Sequence, residues 1–211
     1  LYFQVGLSLS FTEKMMAEKP ILYLYPEEEK EITVSISSQD HQVVYSYPKY
    51  QKEWKVLAHP NGDLLDQATN KKYYALFWET EGPQLAKELK EGFIVTPDNA
   101  VGFLEEKLVF LGLNDRERNE FIIYWLPKLE QHPYNAIYFA QEEYEQAVQL
   151  AITPAPDVLI RIMMLWQPLD YPITLEPQSL PESPKREGFV AVEWGGAEGD
   201  FFSCKKLGSR Y

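Results

Sequence analysis

One cysteine, three histidines and only 20 basic residues against 32 acidic ones mark what this 211-residue chain has little of. A single thiol, Cys204, excludes an internal disulfide framework and any multi-thiolate metal site. His41, His59 and His132 stand far apart, and no HExxH, HxH or EF-hand spacing occurs, so neither a metal nor a cofactor is expected. The net charge of −12 repels polyphosphate backbones, which argues against nucleic acid as a partner. No apolar run exceeds six residues, as in Phe121 to Leu126, far below the ~20 that a membrane-spanning helix needs.

Hydrophobic residues make up 45% of the chain and charged residues 25%, enough apolar material for a packed core. Leu1-Tyr2-Phe3-Gln4 resembles the end of a protease site used to remove tags, and residues 1–19 read as remnant and tail. Val5–Lys19 lacks the positive region of a secretory signal.

Residues 20–81 carry a period of two. Ile32, Val34 and Ile36 alternate with Thr33, Ser35 and Ser37, Val43–Tyr47 stops at Pro48, and Trp54–Ala58 leads into Asn61-Gly62, a hairpin turn signal. Tyr73–Trp78 is apolar on both faces, as in a central strand. An antiparallel β unit is expected here.

The period changes at Gly82-Pro83, where Leu85, Leu89 and Gly92 suggest a short helix with a C-terminal cap. Thr96-Pro97-Asp98 begins a second helix, with Ala100, Leu104, Leu108 and Leu111 as its stripe. Asn114 caps a third, buried through Phe121, Ile122, Trp125, Leu126 and Leu129, with Pro127 expected to kink or end it. Beyond lie a strand at Asn135–Phe139, a helix at Glu142–Leu150, a buried strand at Val158–Trp166 and short strands at Ile173–Leu175 and Phe189–Glu193. The fold class read from this order is α+β: an N-terminal antiparallel β unit (20–81), then a central helical hairpin and a C-terminal mixed α/β segment (82–196), packed as one unit, with residues 197–211 as a tail.

Several motifs fail on their surroundings. The helices around Gly112-Leu113-Asn114 have the outline of a helix-turn-helix, but Asp115-Arg116-Glu117-Arg118-Asn119-Glu120 is too acidic to read DNA. Gly6-Leu7-Ser8-Leu9-Ser10 lacks the closing glycine of a nucleophile elbow. Asp63, Asp66 and Asn70 read as a polar hairpin loop rather than an oxygen site. Cys204 lacks a local histidine, and Gly195, Gly196 and Gly199 are flanked by Glu198 and Asp200, which suits a turn better than a phosphate cradle.

Paired carboxylates are the remaining route to chemistry. Glu79 and Glu193 each end a predicted strand beside a tryptophan, where partial burial would raise a carboxyl pKa into the acid-base range. Arg161, alone in an apolar run, is either their electrostatic partner in a glycan or peptide hydrolase or half of a structural salt bridge, the simpler reading.

Fourteen tyrosines, 11 phenylalanines and five tryptophans are the strongest positive feature, and Tyr23, Tyr25, Tyr45, Tyr47, Tyr50, Tyr73 and Tyr74 concentrate in the β unit. Tyrosine joins an apolar face to a polar tip, which suits carbohydrate or protein surfaces. The words Ile21-Leu22-Tyr23-Leu24-Tyr25-Pro26, Tyr47-Pro48-Lys49-Tyr50, Leu76-Phe77-Trp78-Glu79, Tyr124-Trp125-Leu126-Pro127 and Val192-Glu193-Trp194-Gly195-Gly196 together resemble a family of mostly bacterial proteins with no established activity. The resemblance spans about residues 20–196 and implies that the two halves belong together. The sequence thus favours a non-catalytic binding protein of a bacterial envelope or exterior, with the Glu79/Glu193 hydrolase and an intracellular effector-type interaction protein as alternatives.

Overall fold

A computed structural model describes residues 14–203. In chain order the elements are β1 (Lys14–Tyr25), β2 (Lys30–Ser37), β3 (Gln42–Tyr47), β4 (Trp54–Ala58), β5 (Leu64–Asp66), β6 (Lys72–Tyr73), β7 (Leu76–Pro83), β8 (Glu91–Val95), α1 (Pro97–Phe110), α2 (Asp115–Leu129), β9 (Tyr134–Phe139), α3 (Gln141–Ala147), β10 (Gln149–Thr153), β11 (Val158–Leu169), β12 (Glu176–Pro177) and β13 (Val190–Glu198). The fold is mixed α+β and dominated by strands. Eight form one sheet in the order β12-β8-β9-β11-β13-β1-β7-β3, and five form a second, β10-β2-β4-β5-β6.

Side-chain alternation along the central strands sets the layers. Ile21 and Tyr23 of β1 face α1 and α2 together with Val192 and Trp194 of β13, whereas Leu22 and Leu24 face the second sheet with Ala191. Each such buried side chain contributes roughly 1.5–3 kcal/mol, so a strand apolar on both sides belongs at the centre. A third cluster, with Met163, Leu165, Ala197 and Tyr144 of α3, continues the second-sheet side.

Local departures from the sequence reading have identifiable causes. No helix follows Gly82-Pro83: β7 runs on to Pro83, Glu88 takes a left-handed φ of 52°, and Leu85 and Leu89 join Phe201 and Phe202 in a hydrophobic cluster. Residues 14–19, read as tail, form the first half of β1, and β13 extends to Glu198. Pro127 lies inside α2, which ends two residues later at Leu129. The helix read as Glu142–Leu150 stops at Ala147, because Leu150 and Ile152 pair in β10 with Ile36 and Val34 of β2. Ile173–Leu175 is not a strand; the short β12 follows it. The rejected elbow-like segment around Ser8 and the thiol Cys204 lie outside the described residues.

Gly195 and Gly196 sit within β13 rather than in a turn, and close packing explains both. A Cβ at Gly195 would lie 3.0 Å from the Pro20 nitrogen; one at Gly196 would lie 2.4 Å from Trp125 Cζ2 and 2.7 Å from the Met164 carbonyl oxygen. Their lack of a side chain lets α2 and β1 approach the sheet. Gly196→Ala is therefore expected to lower stability by about 1–3 kcal/mol, read as a lower urea midpoint, and an unchanged midpoint would refute this packing account.

Candidate functional site

The three residues singled out in the sequence fall on two sides of one sheet. Arg161 of β11 and Glu193 of β13 are direct partners in the parallel register. Arg161 Nε donates to Glu193 Oε2 at 2.5 Å, Tyr144 Oη donates to Glu193 Oε1 at 2.6 Å, and Arg161 Nη1 donates to the Val148 carbonyl at 2.9 Å. The guanidinium carbon lies 4.6 Å from the Tyr144 ring centre. Burial, the largest single influence, lowers the arginine pKa, but the charges of Glu193 and Tyr144 and the hydrogen bond to Glu193 together outweigh it and the net direction is up. Burial, followed by the charge of Glu193, pushes the Tyr144 phenol far above its ordinary value. With side-chain exposures of 4% and 1%, Arg161 and Glu193 form a structural salt bridge sealed beneath α3 and the second sheet.

Glu79 is not part of that group. Leu22 of β1 pairs with Glu193, and the neighbouring Ile21 pairs with Phe77 of β7. Glu79 lies two residues beyond Phe77, so it points to the helix side while Glu193 points to the second sheet. The Glu79/Glu193 acid-base pair of the hydrolase reading is thereby separated by the sheet itself, since paired glycosidic carboxylates must flank one bond at roughly 5–9.5 Å.

Glu79 instead lies in a cleft of about 540 Å³ near the β3 end of the large sheet. Ile21, Ala75 and Phe77 line it, and Tyr47, Tyr73, Tyr74 and Tyr124 bring four phenol rings from β3, β6, the β6–β7 link and α2. Tyr47 and Tyr73 meet edge to face at 5.2 Å, and Tyr47 is 65% exposed. The cleft also holds Lys19 and Lys72.

A β-bulge places Lys19. The β1 register shifts between Ala17 and Ile21 against β7, and Lys19 takes a left-handed φ of 58° immediately before Pro20, a conformation unusual for a residue with a side chain. Bulges re-aim side chains, and left-handed non-glycine residues concentrate at ligand sites. Here the Lys19 ammonium lies 5.6 Å from the Phe77 ring centre and 5.8 Å from that of Tyr124, while its backbone N–H approaches Glu79 Oε1 at 3.4 Å.

The surroundings are charge-balanced. Tyr124 Oη donates to Glu18 Oε2 at 2.9 Å, and Lys128 pairs with the same carboxylate. Arg116 stacks 4.7 Å from the Tyr74 ring centre, and Tyr23 Oη donates to Glu120 at 2.8 Å. Burial raises the Glu79 carboxyl above its ordinary value, the Lys19 backbone N–H opposes the rise, and the charge of Glu18 adds to it.

A wider hollow of about 790 Å³ lies between β8 and α1, but its rings are only Phe93 and Phe103 and its lysine, Lys107, is paired with Glu106 at 2.8 Å. Lys19 was missed in sequence because Ile21 is where apolar alternation becomes obvious; the fainter signal was Met15 and Ala17, both buried, alternating with Lys14, Met16 and Glu18. Comparison with protein-family models, with curated proteins and with solved structures finds no match to this chain.

Two outcomes follow from these geometries. Glu193→Gln strands the Arg161 charge and is expected to cost roughly 3–5 kcal/mol in urea unfolding, whereas Arg161→Met with Glu193→Met recovers most of that loss; an equally unstable double variant would contradict it. Because the folded-state pKa of Glu79 is raised, this group favours the fold while protonated, and that contribution disappears as pH rises through its unfolded and then its folded pKa. An NMR titration of the Glu79 carboxyl carbon should show a midpoint above that of an unfolded glutamate, moving down in Glu18→Gln; a midpoint at the unfolded value would count against the site as described.

Proposed function

We propose that this protein is a non-catalytic binding module that holds a saccharide in the cleft formed by Tyr47, Tyr73, Tyr74, Phe77 and Tyr124. One observation carries the reading: aromatic rings from five parts of the chain converge on one cleft that also contains two lysines and a carboxylate. Flat apolar faces suit the C–H faces of sugar rings, and phenol, ammonium and carboxylate groups suit their hydroxyls. Tyr45, 60% exposed on β3, extends the aromatic surface beyond the cleft.

Residues 20–81 and 82–196 act in this reading as one co-folding unit, an N-terminal β segment with the helical pair and the C-terminal strands. Pairing of β1 with β13 and of β2 with β10 supports it. A place in a bacterial envelope or exterior remains part of the proposal, since glycans are abundant there.

Titration with neutral and acidic hexasaccharides, followed through the tyrosine ring signals, tests the reading. Shifts are expected at Tyr47, Tyr73, Tyr74 and Tyr124, with Tyr47→Ala together with Tyr74→Ala weakening binding about tenfold, in keeping with roughly 0.5–1.5 kcal/mol per lost aromatic contact. Binding that leaves these rings undisturbed, or that survives the double substitution at full strength, would sink it.

A further inference from the structure

We infer that the saccharide held in this cleft bears a carboxylate, as in a uronic acid chain, and that Lys19 is the residue that selects it; the inference rests on the binding reading above. The starting point is the state of the Lys19 ammonium. Lys128, beside it on α2, is neutralised by Glu18. Lys19 has two aromatic faces as neighbours but, among the described residues, no ion pair. The charge of its side chain acts on Glu79 less than that of Lys128 does. Three ammonium hydrogens therefore remain available at a half-buried position within the cleft. A fixed cation whose hydrogens have no acceptor is suited to a charge-assisted hydrogen bond from an anionic ligand.

The other groups narrow the class. Lys72, exposed at the mouth, adds a second positive charge without a partner among the described ion pairs. Glu79 is an acceptor in the same cleft, so a ring bearing two or more anionic groups would meet repulsion there, whereas hydroxyl groups would find a hydrogen-bond partner. A sugar ring with one carboxylate, several hydroxyls and an apolar face, the repeating unit of a uronic acid chain, satisfies Lys19, Glu79 and the tyrosines together. An acidic peptide supplies the carboxylate but neither the hydroxyls nor the ring face. The bulge at Lys19 gives the device its rigidity, because the left-handed backbone before Pro20 fixes where the side chain starts.

The test titrates the full chain with hexagalacturonate, with the matched neutral hexasaccharide in which each carboxylate is reduced to the alcohol, and with hexaglutamate, monitoring the ring signals of Tyr47 and Tyr124. Hexagalacturonate should bind about tenfold more tightly than its neutral counterpart, in line with one charge-assisted hydrogen bond. Lys19→Met should erase that difference while the neutral sugar still shifts the Tyr47 and Tyr124 rings, which also reports that the variant is folded, and Lys19→Arg should keep it. Equal affinity for the two sugars, a preference that survives Lys19→Met, or hexaglutamate binding as tightly as hexagalacturonate would each overturn the inference while leaving saccharide binding in place. If neither sugar disturbs the tyrosine rings, the binding reading itself fails and takes this inference with it.

Discussion

The register of β11 against β13 is held by a charge that cannot be left alone. Arg161 and Glu193 face each other at the parallel pairing, deep beneath α3 and the second sheet. Sliding either strand by one residue would turn one partner to the helix side and abandon the other in an apolar layer, at several kcal/mol. The hydroxyl of Tyr144 and the carbonyl of Val148 depend on the same register, so α3 and the start of β10 are positioned by it too. Through β13 the constraint passes to β1, and through β1 to the bulge that sets Lys19. The tyrosine-lined cleft is thus the outer end of an arrangement fixed near the middle of the sheet.

Periodicity made the helices and most central strands legible. Ala100, Leu104 and Leu108 are fully buried as their spacing requires, and Asn114 forms a capping box with Glu117. Reading failed where one pattern served two environments. Leu85 and Leu89 have helical spacing yet lie outside any helix, packed against the cluster that holds Phe201 and Phe202, and the glycines after Trp194 look like a turn although close neighbours demand them. Sheet membership was not legible at all. Strands between residues 20 and 81 divide between two sheets, because β2 and β10 are joined by pairing across more than a hundred residues, which local patterning does not encode.

The candidate site was half legible. Arg161 announced itself as a charge in an apolar run, and its partner was one of the two glutamates considered. Tyrosine density drew attention to the stretch of chain that supplies Tyr47, Tyr73 and Tyr74 to the cleft. Alternation alone could not tell that Glu79 and Glu193 lie on opposite faces, since that depends on how β7, β1 and β13 are registered. Tyr124 and Lys19 reach the cleft only through tertiary packing, one from α2 and one from a bulge.

The pairing of β1 with β13 has a further consequence for how the molecule is made. Strands near the two ends of the described chain become neighbours at the heart of the larger sheet. During ribosomal synthesis β7 can cover one margin of β1 early, but the other margin waits until β13 has emerged. Throughout that interval Ile21-Leu22-Tyr23-Leu24-Tyr25 offers open backbone and apolar side chains, the features that invite wrong strand partners. A nascent chain of this topology is therefore vulnerable to aggregation until its final described strand arrives, and rescue factors that shield extended apolar segments would act on it at that stage.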